Sequence, residues 1–191
     1  MAWIGVILFL SITVMCQSGL ANTCCVFVNT ADDLIHCILP NLYQDGDVVS
    51  DVAIAVYASR DIWNYTAYSL LVNDFYAKSR GYTLKFYGVE PSSDFYPKDK
   101  KWNKIGTVLD SLHPSLGWAR TAKYFVAIDA DLIVSDFALH IDAMARSHPK
   151  AHIIMSRDAV DVANSGFMIV RNSKWAYEFV KVINFVLFLL L

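Results

Sequence analysis

Tyr124-Phe-Val-Ala-Ile-Asp-Ala-Asp131 constrains this chain more than any other stretch. Five apolar residues, Tyr124 to Ile128, run without interruption into two aspartates spaced i, i+2. A short unbroken apolar run fits a strand buried on both faces, as in the parallel sheet of an α/β protein. In such sheets ligands bind beyond the carboxyl ends of the strands. Extended residues two apart point the same way, so Asp129 and Asp131 can address one ligand or ion. Paired carboxylates are hard oxygen donors suited to Mg²⁺ or Mn²⁺, ions that commonly bridge protein carboxylates and substrate phosphates. Spacing alone is unspecific. Asp45-Gly46-Asp47 has the same spacing but no apolar strand before it, and reads as a solvated turn.

The flanking sequence alternates as an α/β sandwich should. Val52 to Ala58 is a second apolar run of strand length, closed by Ser59-Arg60-Asp61. Tyr65 to Arg80 is predicted helical, with Tyr68, Leu71, Val72, Phe75 and Tyr76 as its apolar face and Gly81 at its C-terminal cap. Thr83 to Val89 reads as the next strand, giving a βαβ unit with parallel strands. A polar loop from Pro91 to Lys101 precedes a helix over Trp102 to Leu112. After the acidic strand, Ser135 or Asp136 is expected to cap a helix with apolar face Phe137, Ile141, Met144 and Ala145, ended by His148-Pro149. Ala151 to Met155 and Phe167 to Val170 are read as strands, Asn164-Ser165-Gly166 as a turn, and Arg171-Asn172-Ser173 as the cap of a helix over Lys174 to Lys181.

The two ends account for much of an apolar composition, 55% hydrophobic in 191 residues. Residues 1–21 carry no charge, and an apolar segment ending in small residues at Gly19 and Ala21 reads as a secretory signal cleaved after Ala21. A signal anchor is the other reading of that segment. Residues 22–50 form an N-terminal extension, and in an oxidising compartment Cys37 can bridge to Cys24 or Cys25. Asn64-Tyr65-Thr66 is a glycosylation sequon. Val182 to Leu191 is an apolar tail, read either as a buried helix end or as the product of a truncated reading frame. A net charge of −2 argues against a nucleic-acid partner. No C-x-x-C pair points to zinc, and no P-loop or G-x-S-x-G pattern occurs.

Lys123-Tyr-Phe-Val-Ala-Ile-Asp-Ala-Asp-Leu-Ile-Val134 resembles the D-x-D segment of GT-A glycosyltransferases. Asn164-Ser-Gly-Phe-Met-Ile-Val-Arg-Asn-Ser-Lys-Trp175 is similar to the N-[ST]-G-x-x-x-x-R-N-x-x-W segment of the galactosyl-, mannosyl- and xylosyltransferases of family 34. Trp102-Asn-Lys-Ile105 looks like the W-x-K-[IL] start of the helix before D-x-D in that family. The resemblance covers residues 51–181 and implies a GT-A, Rossmann-like sandwich, incomplete at its C-terminus.

It further implies a retaining transfer of a hexose or pentose from a UDP- or GDP-sugar to a glycan or glycoprotein. Asp131 would ligate Mn²⁺ or Mg²⁺, and Asp129 the metal or the donor ribose. Ala58, Ser59 and Arg60 would lie near the base, Lys104 near the phosphates, and Asn164, Ser165 and Gly166 near the donor sugar. Apart from the resemblance, Arg157 and Asp158 follow a strand and read either as contacts to donor or acceptor or as an ion pair in a loop. His140, His148 and His152 read as structural or surface residues, and Trp175 as core. Family members continue to a later histidine that completes the metal shell, whereas no histidine follows His152 here. A catalytically incomplete nucleotide-sugar-binding remnant is therefore the alternative, and a purely structural secreted module the third. The expected setting is the ER or Golgi lumen or the secreted fraction, with any membrane association through the N- or C-terminal apolar segment.

Overall fold

A computed structural model of the chain describes residues 30, 33, 50–88, 102–159 and 161–190. The signal segment, the cysteines, nearly all of the extension 22–50, Asp45-Gly46-Asp47 and the loop from Pro91 to Lys101 lie outside the described residues.

The strands are β1 (Val52–Tyr57), β2 (Thr83–Tyr87), β3 (Tyr124–Ile128), β4 (Ile153–Arg157) and β5 (Ala163–Arg171). They form one sheet in the order β2-β1-β3-β5-β4. Helices α1 (Trp63–Ser79), α2 (Asn103–Leu112), α3 (Ile141–Ser147) and α4 (Lys174–Leu190) cover its faces. β1 lies parallel to β2 and to β3, as the βαβ reading requires. β5 runs antiparallel to β3, and β4 antiparallel to β5. The fold is an α/β, Rossmann-like sandwich.

Both faces of β3 are buried, and its alternating residues divide the core in two. Tyr124, Val126 and Ile128 join Val52, Ile54 and Val56 of β1 against α1 and α3. Phe125 and Ala127 join Ala53 and Ala55 against α2 and α4. Alanines at these inward positions let α2 approach the sheet closely. An uninterrupted apolar run is what two-sided burial demands.

Helix α1 buries only part of the face that its large apolar residues suggest: Tyr76 is enclosed and Leu71 packs against the core. Tyr68 and Phe75 are 52% and 62% exposed. The buried face instead comprises Trp63, Thr66, Ala67, Ser69, Leu70, Asn73, Tyr76 and Ala77. Its polar members bury without penalty because each has a backbone partner. Ser69 Oγ donates to the Ala130 carbonyl, Asn73 Nδ2 to the Leu132 carbonyl at 2.7 Å, and Tyr76 Oη to the Leu139 carbonyl at 3.0 Å. The Val134 N–H donates back to Asn73 Oδ1 at 3.0 Å, and Arg80 Nη2 donates to the Phe137 carbonyl. One stripe of α1 thus grips the whole loop that leaves β3.

That grip accounts for the shortened helix α3. A helix is expected from Ser135 or Asp136, but α3 begins only at Ile141, after His140. The carbonyls of Phe137 and Leu139 are held by α1, and Asp136 Oδ1 instead accepts the Ala138 N–H in a local turn at 2.8 Å. Asn164-Ser165-Gly166 is likewise not a turn. It opens β5, beside an irregularity in pairing at Met155 and Ser156 of β4. Trp175, expected in the core, is 54% exposed and stacks on Phe179 with ring centroids 5.0 Å apart. The apolar tail is the continuation of α4, which runs through Leu190. Among the described residues no helix is long and apolar enough to cross a membrane.

Candidate functional site

The carboxyl ends of the parallel strands β1 and β3 lie side by side, with Val56 opposite Ile128. The crossovers β1-α1-β2 and β2-α2-β3 pack on opposite faces of the sheet, and such a reversal opens a crevice at the ends of β1 and β3. β5 supplies the third wall because it is antiparallel: Phe167 pairs with Ile128, so the start of β5 meets the end of β3. The Asp129 N–H donates to the Gly166 carbonyl at 2.8 Å and extends this pairing by one bond. Two segments distant in sequence, Asp129-Ala130-Asp131 and Asn164-Ser165-Gly166, are thereby brought together.

A cavity of about 470 Å³ occupies this crevice. Asp129, Ala130 and Asp131 form its floor, Ser59 and Tyr57 its β1 wall, and Ser165 its β5 wall. Lys104 and Trp102 reach it from the start of α2, and Ile62 and Tyr65 from the start of α1. Lys104 is the charged residue that ties these walls. Its Nζ donates to Asp129 Oδ1 and, at 2.8 Å, to the Ser165 carbonyl. The Lys104 side chain is only 13% exposed, and that of Asp129 is 43% exposed. Asp131 is exposed at the floor. A partly buried ammonium beside one carboxylate and a freer carboxylate two residues on make an asymmetric acidic pair.

Gly166 has a steric reason to be glycine. A Cβ there would lie 2.9 Å from Asn164 Oδ1 and 3.1 Å from Asp129 Oδ2. Asn164 Oδ1 in turn accepts the Gly166 N–H at 2.7 Å. The residue missing its side chain thus makes room for the Asp129 carboxylate itself.

The sequence-derived candidates divide into two groups. Ser59, Lys104, Asp129, Asp131 and Ser165 line one cavity. Asn164 and Gly166 sit directly behind Asp129, holding its surroundings. Ala58 is fully buried, its carbonyl accepting from Trp63 Nε1 at 3.3 Å, and it supports Ser59 without lining the cavity. Arg60 is exposed, and its guanidinium stands 5.9 Å from the centre of the Trp63 ring. Asp158 lies in the connection between β4 and β5, where its carboxylate accepts the Val162 N–H at 3.0 Å. Neither Arg60 nor Asp158 is among the cavity-lining residues.

Sequence reading passed over Tyr57, Ile62 and Tyr65 at the rim, and Ser69 and Asn73 beneath the floor. Tyr57 was legible as the last residue of a strand ending at the crevice, and Asn103 Nδ2 donates to its hydroxyl at 2.7 Å. Ser69 and Asn73 gave no signal, since polar residues in a helix read as its solvated face. The second half of the Asn164 to Trp175 segment has a different duty, at the far end of β5. Arg171 Nε donates to the Ala151 carbonyl at 3.2 Å, and the Asn172 amide donates to the carbonyls of Arg120 and Ala122, each at 2.8 Å. Ser173 Oγ accepts the Ala176 N–H at 3.2 Å and caps α4.

Two perturbed ionisations lie in the elements around the loop that follows β3. Burial is the largest influence on Asp142 and would raise its carboxyl, but the Tyr82 hydroxyl and Arg146 outweigh it and hold the group below the usual carboxylate range. Burial raises the Tyr76 phenol well above its ordinary value, so it remains a neutral donor to the Leu139 carbonyl.

Comparison with family models finds no match, and comparison with curated protein sequences finds none either. Among solved structures, the chain is similar to a glycosyltransferase involved in the glycosylation of the major capsid of PBCV-1. The TM-score is 0.56 at 16% sequence identity, over 71% of this chain and 66% of that one. At that identity the likeness is one of fold: this chain has the sandwich on which that glycosyltransferase is built.

Proposed function

We propose that the chain binds a nucleotide-diphosphate sugar together with a divalent cation in the crevice between β1 and β3, and that it transfers the sugar to a glycan or glycoprotein. The observation that carries this reading is the convergence of Asp129, Asp131, Lys104 and Ser165 on one cavity at the strand ends. Support comes also from the fold, which is that of a capsid-glycosylating glycosyltransferase, and from the resemblance of residues 51–181 to the family 34 enzymes.

The residues present suit Mn²⁺ or Mg²⁺. Among the described residues no group of three or more His, Cys, Asp or Glu side chains stands ready to hold an ion. Two carboxylates with the remaining positions left to phosphate and water match the habit of these cations at nucleotide sites. Asp131 would be the principal ligand, because Asp129 Oδ1 is already engaged by Lys104. When bound, the cation neutralises charge on the departing diphosphate. Lys104 places a second positive charge on the same side of the cavity. Tyr57, Tyr65 and Trp102 provide apolar surface for base or sugar, with Ser59 as a small polar neighbour. UDP or GDP as the nucleotide, retention of configuration and a setting in the secretory pathway complete the proposal.

A second reading is donor binding without transfer. One observation favours it: the cavity-lining acids among the described residues are Asp129 and Asp131 alone, both at the metal end. Thermal unfolding with Mn²⁺ and UDP or GDP tests the shared part. A nucleotide-dependent rise in midpoint that requires Mn²⁺ and is lost in Asp131→Asn is expected, and its absence refutes the site. Donor hydrolysis or sugar transfer then separates enzyme from binding remnant.

A further inference from the structure

The Lys104–Asp129 contact joins a cation to one of the two carboxylates proposed to serve the metal. We infer that Lys104 is an internal counter-ion for Asp129, which makes metal and diphosphate bind cooperatively. This inference rests on the nucleotide-sugar reading above.

Lys104 Nζ donates to Asp129 Oδ1 and to the Ser165 carbonyl at 2.8 Å, so it spans the ends of β3 and β5. An ammonium has three donors. Two are spent on these oxygens, and the side chain lines the cavity. While Lys104 holds Oδ1, a divalent cation approaching Asp129 meets a positive charge already seated there. Two cations sharing one carboxylate repel, and the effect is strong because Lys104 is largely shielded from water. Metal alone therefore binds chiefly through Asp131.

A diphosphate changes this balance. It brings several negative charges and acceptor oxygens, to which a lysine is a common partner. Lys104 turns from Asp129 Oδ1 toward the phosphates, and Oδ1 becomes free to face the metal. The rest of Asp129 need not move. Its N–H remains bonded to the Gly166 carbonyl at 2.8 Å, and the absent Gly166 side chain preserves the space beside Oδ2. By reciprocity, the metal tightens diphosphate binding by the same factor. Lys104 is thus a positioning residue as well as a phosphate contact.

The test is a titration of the full chain with Mn²⁺, following free Mn²⁺ by electron paramagnetic resonance, with and without saturating UDP. In wild type, UDP is expected to raise Mn²⁺ affinity about 10-fold or more, within the usual range of coupling. In Lys104→Met, Mn²⁺ alone should bind about 10-fold more tightly than to wild type, and the UDP-induced gain should shrink to about 3-fold or less. Lys104→Arg, which keeps the charge, should retain the wild-type pattern. Unchanged or weaker binding of Mn²⁺ alone in Lys104→Met overturns the counter-ion role while leaving the nucleotide site standing. If that variant does not fold by circular dichroism, Lys104→Gln, which can still donate to the Ser165 carbonyl, is read by the same criteria. Failure of wild type to bind either Mn²⁺ or UDP overturns the nucleotide-sugar reading itself.

Discussion

Gly166 and Asp131 carry the most specific single-residue expectations. The atoms that a Cβ at Gly166 would meet first, Asn164 Oδ1 and Asp129 Oδ2, are ends of short side chains that can shift a few tenths of an ångström. Gly166→Ala should therefore fold with a midpoint within a few degrees of wild type, yet displace the Asp129 carboxylate. Isothermal titration with Mn²⁺ and UDP should show affinity reduced about 10-fold, the scale of roughly 1.4 kcal/mol. Wild-type affinity in the alanine variant would sink this account of the glycine. Asp131→Asn, by contrast, should abolish the Mn²⁺-dependent nucleotide effect without lowering stability, because its side chain is exposed and supports nothing in the fold. The position of both aspartates just past a strand end was legible from sequence, since an unbroken apolar run leads straight into them. The Lys104 partnership was not. A lysine on a helix is ordinarily solvated, and only the approach of α2 to the end of β3 half-buries this one.

Helix α1 holds the clearest contrast between pattern and packing. Its large apolar residues are spaced as a buried stripe, but Tyr76 alone of them is enclosed, and Ser69 and Asn73 face inward with it. Asn73→Leu would leave the Leu132 carbonyl and the Val134 N–H without their partner. A loss of about 1–3 kcal/mol is expected in urea unfolding, the usual cost of orphaned buried polar groups. Tyr68→Ser, which alters the face that hydrophobicity alone would bury, should change stability by less than about 0.5 kcal/mol. Leu70→Ala, on the observed buried face and fully enclosed, should cost about 2–5 kcal/mol. The reverse order for Tyr68 and Leu70 would refute the orientation of α1. Propensity and periodicity could not reveal this orientation, because polar side chains bury only where a specific loop supplies carbonyls to receive them.

Taken as a molecule, the chain ties its loop after β3 to the rest of the sandwich through ionisable groups remote from the cavity. Tyr82, just before β2, donates to Asp142 Oδ1 at 2.8 Å, and Arg146 of α3 pairs with Asp142 Oδ2 at 2.5 Å. The Asp142 carboxyl lies below its ordinary range despite the opposing effect of burial, because these two donors favour the charged form. A depressed carboxyl stabilises the fold above its unfolded-state pKa and loses that contribution as pH falls through the folded value. Asp142→Asn should therefore lower the unfolding midpoint at neutral pH, and the gap to wild type should close as pH drops below about 4. A gap that stays constant, or widens in acid, would contradict this linkage.

The amino-acid sequence by itself determined which segments form the layers. Runs such as Val52 to Ala58 and Tyr124 to Ile128 have the length and unbroken apolarity that two-sided burial in a sheet demands, and the intervening Tyr65 to Arg80 is too long to be a strand. It also placed Asp129 and Asp131 just past the end of one of those strands, where both line one cavity. Only the tertiary structure decided that β5 runs antiparallel, that Asn164-Ser165-Gly166 is consequently strand rather than turn, and that Lys104 closes on Asp129. The physical reason is one of range. Periodicity and local composition report which segments form strands and helices, whereas hydrogen bonds between segments far apart in the chain depend on which strands become neighbours.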